Sequence, residues 1–259
     1  MPPSTIWKRL YLLFTPPDGL IVDWVTVGAL VQAGVLAEFH LTGGITERDG
    51  RVVLRRPPEQ ADALEQRMLG RMSTSRSPSW ERWIGDDVKT GAQVARDQLL
   101  YEGLVRAEQV RRLGVIRYMT YPVSDAVSAA EIRASVGEIL FRAKAAEPDV
   151  DAVRRAAMAV PQGDVTGLTR RQRRERLTEL RMRAEADLLA SHPQMHARGI
   201  DDRDAAFVAL AVRIPRRNRH FQVPGGCADQ VAALTHRIEP VASALASVLG
   251  AQEWRRPLA

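Results

Sequence analysis

Arginine placement carries most of the chemistry legible in this chain. Arg170, Arg171, Arg173, Arg174 and Arg176 crowd the start of a helix that Thr169 and Gln172 open with capping-box spacing. Cations at a helix N-terminus oppose its dipole by roughly some tenths of a kcal/mol each, so an anionic ligand or acidic partner is the natural counterweight. Arg111 and Arg112 form a second basic group beside Leu113, Val115 and Ile116, with Gly114 among them. Such a mixture meets phosphates with its guanidiniums while its apolar atoms enter a lipid interface. Plainer readings stand beside both: arginine runs commonly form solvated faces or bind nucleic acid, and β-branched residues in strands usually cover a protein's own core.

Groups for bond-making chemistry are not assembled. His192 and His196 have the spacing of a metal-binding pair, but Pro193 disfavours the helix that would align them and no carboxylate or cysteine completes the set. His40, His220 and His236 are isolated. Cys227, the sole cysteine, follows Gly225 and Gly226 without an identifiable histidine base and reads as a small buried residue. A single cysteine excludes an intrachain disulfide and fits a reducing interior. No phosphate-cradling glycine loop is present. The sequence predicts a non-enzymatic protein with no catalytic residues, no metal and no cofactor.

What must position these arginines is a large helical domain. The 259 residues are 45% hydrophobic but only 5% aromatic, so the core is built mostly from Leu, Val, Ile and Ala, the mixture expected where helices dominate. A net charge of +6 and an isoelectric point near 10.1 favour a polyanionic partner, either phospholipid head groups or nucleic acid. The apolar run Leu10 to Phe14 is far too short for a signal segment or a span, and no other stretch reads as spanning length, so membrane contact is expected to be peripheral.

Along the chain, Leu10 to Phe14 and Leu20 to Val22 read as short extended pieces around the Pro16-Pro17-Asp18-Gly19 turn. Val25 to Leu41 has helical spacing and stops at Gly43 and Gly44. Asp49-Gly50 inside Ile45 to Arg55 marks a tight hairpin. Helices follow over Gln60 to Arg71, Thr90 to Tyr101 and Ser128 to Lys144, with Trp80 and Trp83 as core anchors and a second hairpin over Leu104 to Tyr121. After the arginine-rich interval, Asp202 to Val212 and Val231 to Leu249 finish the chain as apolar helices. The expected fold is mainly α: a single helical domain over 10–254 with two short β-hairpins and an arginine-rich helical insertion at about 147–199, flanked by tails at 1–9 and 255–259.

Read as a series, the segments resemble the Golgi phosphoprotein 3-like family. The resemblance rests on Leu10-Tyr-Leu-Leu-Phe14 with its Pro-Asp-Gly turn, Ala33-Gly-Val-Leu-Ala-Glu-Phe-His-Leu-Thr-Gly-Gly-Ile45, Leu99-Leu-Tyr-Glu-Gly-Leu104, Arg117-Tyr-Met-Thr-Tyr-Pro-Val123 and Asp202-Arg-Asp-Ala-Ala-Phe-Val-Ala-Leu210. It implies a peripheral membrane position, recognition of phosphatidylinositol 4-phosphate, and a hairpin that dips apolar residues into the bilayer. The lipid pocket of that family uses a tryptophan ahead of the first core helix, an arginine within it, and two arginines one turn apart before the hairpin. Trp24 matches the tryptophan, with an ordinary half-buried tryptophan as its plainer reading; Gln32, Lys89 and Ala92 stand where the three arginines are expected. Lysine is a point charge without the planar two-point grip of arginine. Arg82 and Arg96 lie close enough in sequence to substitute, and Lys89 and Arg96 also read as solvated helix residues. The expected partners are anionic phospholipid on the cytoplasmic face of a membrane and, through the insertion, other proteins, with nucleic acid as the alternative; the Ala- and Arg-rich composition suggests a bacterial relative.

Overall fold

A helix that is apolar on every side has to be surrounded by protein. The segment Trp24–Leu41 is such a helix, α2 of a computed structural model that describes residues 3–75, 78–112, 116–145, 200–215 and 218–254. Val27, Leu30, Val31, Val35, Leu36 and Phe39 on its several faces are all sealed from solvent. With a mean hydropathy of 1.3 over its 18 residues, α2 is long and apolar enough to cross a bilayer, which corrects the expectation that no stretch reaches that length; 78% of it lies buried inside the fold, so it is the core helix. Asp23 starts it by accepting hydrogen bonds from the Thr26 amide at 3.1 Å and the Thr26 hydroxyl at 2.8 Å. Gly43, in the left-handed region at φ +69°, ends it.

Two glycines let other helices reach the backbone of α2. A Cβ on Gly34 would lie 2.7 Å from the Cα of Trp7 in α1 (Ile6–Phe14), and one on Gly28 would lie 1.9 Å from the carbonyl oxygen of Val88, the first residue of α5 (Val88–Tyr101). The remaining helices are α3 (Ala63–Thr74), α4 (Trp80–Gly85), α6 (Ala126–Ala145), α7 (Asp202–Ala211), α8 (Ala228–His236) and α9 (Glu239–Trp254), making nine among the described residues. Asp62 and Glu65 cap α3 reciprocally. Trp7, Trp83, Tyr11, Phe39 and Phe207 are the largest side chains in the common core.

The two hairpins are separate two-stranded antiparallel sheets. In the first, β1 (Ile45–Arg48) pairs with β2 (Arg51–Leu54) around Asp49 and Gly50, both at positive φ as the tight turn requires. Trp80 of α4 donates its indole N–H to Glu47 of β1 at 2.8 Å, and His40 packs edge-on against Trp80 at 5.7 Å. In the second, β3 (Glu108–Arg112) pairs with β4 (Ile116–Thr120).

The mainly α fold, both hairpins and the buried Trp80 and Trp83 agree with the sequence reading. Three details differ. Leu10 to Phe14 is the second half of α1 rather than a strand: Ile6, Trp7, Leu10, Tyr11, Leu13 and Phe14 all face the core at helical spacing, while Lys8 and Arg9 pair with Glu102 at 2.6 Å and Asp204 at 2.7 Å. The expected tail over 1–9 shortens accordingly, since Ile6 and Trp7 are fully buried; Leu20 to Val22 is irregular. The last apolar stretch is two helices, because Pro240 has no N–H with which to continue α8. The Thr169 helix, the arginines 170–176, the pair His192 and His196, and the tail 255–259 lie outside the described residues.

Replacing Gly28 by alanine forces a methyl into the Val88 carbonyl and is expected to lower stability by about 3 kcal/mol, read as the urea unfolding midpoint. Burial holds His40 below its ordinary pKa of 6.5, and burial with the nearby Arg133 does the same for His220. A depressed folded pKa contributes stability that is present above 6.5 and is lost as the pH falls, so the thermal midpoint should drop on acidification below that value. The drop should be smaller in His40→Gln.

Candidate functional site

The start of α2 is held from outside by the loop before it. Gly19, at φ +69°, accepts a hydrogen bond from the Tyr121 amide at 2.9 Å, and a Cβ there would overlap Pro122. This contact sets Tyr121, just beyond β4, beside Trp24: the two rings meet edge to face at 6.0 Å and 82°. Arg96, in the third turn of α5, brings its guanidinium to 5.0 Å from the Tyr121 ring and 5.9 Å from the Trp24 ring. Only about a quarter of its side chain is exposed, and it pairs with the more exposed Asp97 at 2.7 Å. Burial pulls the Arg96 pKa down, but the Asp97 hydrogen bond and the neighbouring tyrosines outweigh it and the net direction is up. The guanidinium stays charged.

Behind this corner lies Tyr11 of α1. Its ring is fully buried and its hydroxyl has no hydrogen-bond partner among the described residues. Burial pushes the phenol pKa well up, against the opposing pull of the Arg96 charge. The hydroxyl is therefore a neutral donor. Asn218 donates to Asp23 at 3.2 Å and ties the stretch after α7 to the same corner.

A second cation reaches α2 one step further along. Gln32, almost fully buried, donates to the carbonyls of Ile84 at 3.3 Å and Asp86 at 3.2 Å, and accepts from Arg71 of α3 at 2.7 Å. The Arg71 guanidinium lies 5.3 Å from the Trp83 ring, and burial lowers its pKa. Where the resemblance expects an arginine within the helix, Gln32 and an arginine from another helix share the position. Sequence reasoning missed Arg71, Tyr11 and Tyr121, because no spacing rule relates α3 to α2 or α1 to the end of β4.

Of the residues singled out from sequence, Trp24 and Arg96 come into contact. Arg82 is exposed on α4 and pairs with Asp86 at 3.1 Å, Lys89 is exposed in the first turn of α5, and Ala92 is buried. On the second hairpin, Arg111 is exposed and faces Arg117 across the ladder, while Arg112 and Ile116 form its last rung; Leu113 and Val115 lie outside the described residues. Cys227 is buried, as its sequence context suggested. Among the described residues no group of three metal-ligating side chains gathers.

A helical domain that holds a charged guanidinium in an aromatic corner, open to solvent on one side, has the makings of an anion-binding protein. The chain belongs to the Golgi phosphoprotein 3 (GPP34) family, whose model matches residues 6–249. No curated protein matches the sequence. The family is known for binding phosphoinositide at the Golgi as peripheral, non-enzymatic adaptors.

Removing the partnerless hydroxyl with Tyr11→Phe is expected to raise stability by about 1 kcal/mol, since a buried unpaired polar group is destabilising. Differential scanning calorimetry checks it; a lowered midpoint would show that the hydroxyl is satisfied in solution.

Proposed function

We propose that this protein is a non-enzymatic adaptor that docks peripherally on the cytoplasmic face of a membrane, with the Trp24, Arg96 and Tyr121 corner as its head-group site. The supporting observation is the Arg96 guanidinium held against two aromatic rings: it is oriented before any ligand arrives, so little side-chain entropy remains to be lost when a phosphate replaces Asp97 as its partner. Trp24 supplies the amphipathic ring suited to the interface. Lys89 and Arg82, both exposed, add long-range attraction to an anionic surface at about 1 kcal/mol per charge. The second hairpin carries the apolar insertion, with Arg111 and Arg112 near phosphate depth and Leu113, Val115 and Ile116 deeper.

Phosphatidylinositol 4-phosphate is the family ligand and the first to test. With Gln32 and Ala92 in place of two arginines, the site has fewer forks to grip a monoester phosphate, so selectivity for that head group should be modest relative to other anionic lipids. The 147–199 interval is a candidate surface for protein partners.

Co-sedimentation with phosphatidylcholine vesicles, plain or doped with phosphatidylinositol 4-phosphate or phosphatidylserine, tests the reading. Wild type should pellet with doped vesicles only, less so as salt rises. Arg96→Gln should weaken association about tenfold, the loss of one charge-assisted hydrogen bond, and the pair Leu113→Asp with Ile116→Asp should weaken it further. Equal binding to plain and doped vesicles, or binding that Arg96→Gln leaves unchanged, would defeat the proposal.

A further inference from the structure

Like charges set directly opposite on an antiparallel ladder destabilise it, yet β3 and β4 pair Arg111 with Arg117 in just that way. Both side chains are exposed, and neither has an acidic partner among the described residues. The nearest carboxylate on β3, Glu108, is engaged by Arg106. Side-chain alternation places Gln109 and Arg111 of β3 on one face with Arg117 and Met119 of β4; Gln109 is exposed, and Met119 is 44% exposed. Val110 and Tyr118, on the opposite face, are half-buried. One face of the hairpin therefore carries two exposed guanidiniums on opposed residues, an amide and a thioether, and Val110 and Tyr118 occupy the other.

We propose that Arg111 and Arg117 form a two-armed clamp for a lipid phosphodiester, a contact separate from the Trp24 corner and resting on the membrane reading above. Directly opposed side chains have Cβ atoms roughly 5 Å apart, so two planar forks of this length close on a single phosphate. The bridging anion converts a repulsive rung into a charge-balanced one. Met119 lies alongside as an apolar, adaptable surface for the glycerol and upper acyl region. Arg117 is thereby assigned a lipid contact, and the arginine-bearing face of the hairpin becomes the face that meets the membrane.

The decisive variant is Arg111→Glu. It replaces repulsion by a cross-strand ion pair, so its thermal midpoint should equal or exceed that of wild type, while association with phosphatidylserine-doped vesicles falls about tenfold or more through the lost and reversed charge. Arg117→Glu should behave alike. Arg111→Lys, which keeps charge but loses the fork, should fall between. If Arg111→Glu binds vesicles like wild type while Arg96→Gln does not, the clamp is wrong and the head-group site stands. If wild type binds no anionic vesicle, the membrane reading fails and takes the clamp with it. If wild type prefers a duplex oligonucleotide to vesicles at equal salt and Arg111→Glu abolishes that preference, the clamp holds nucleic-acid phosphate and the lipid assignment is overturned.

Discussion

The contact between Gly28 of α2 and the Val88 carbonyl that opens α5 is the constraint on which the rest depends. No side chain separates the two helices there, so α5 crosses α2 at backbone distance. That crossing fixes where the rest of α5 runs. Arg96, two turns further on, reaches Trp24 at the first turn of α2 only because the helices meet this closely. The glycine at position 34 does the same for α1, which carries Tyr11 to the back of the corner.

Burying α2 on every side also creates a polar problem, and arginines from other helices answer part of it. Gln32 accepts from Arg71, and the buried Glu38 pairs with Arg203 of α7. Elsewhere Arg9 reaches Asp204, Arg133 donates to the Thr15 carbonyl at 3.1 Å, and Arg219 closes the end of α7 by donating to the Val212 and Ile214 carbonyls. These five arginines are thus structural. A planar fork that bonds two acceptors at once suits such crossings, where lysine would leave one acceptor unpaired. The net charge of +6 says little by itself about the exposed surface.

Most elements were legible because their signals are local. Asp49-Gly50 fixed a turn, the residues from Val27 to Phe39 had helical period, and Pro57-Pro58 and Gly103 bounded their neighbours. Helix α1 is hard to see in the sequence, because the continuous apolar run Leu10 to Phe14 is too short to show a period without Ile6 and Trp7 before the basic Lys8 and Arg9. In the corner, Trp24 matches the family pattern and Arg96 stands near its later arginine pair in sequence, and the structure brings the two into contact. Tyr11, Arg71 and Tyr121 were not legible, since each meets its neighbours through tertiary packing between elements far apart in sequence. Arg82 had suggested itself by proximity in sequence alone, and on α4 it turns to Asp86.

The clasp of α2 by two glycine contacts has a mechanical consequence. Sliding the helix along its axis by a single residue would drive α1 or α5 main chain into a side chain, so neither shear nor rotation is open to it. A ligand at the Trp24 end would therefore meet a helix already fixed in register, with little ordering left to undergo on binding.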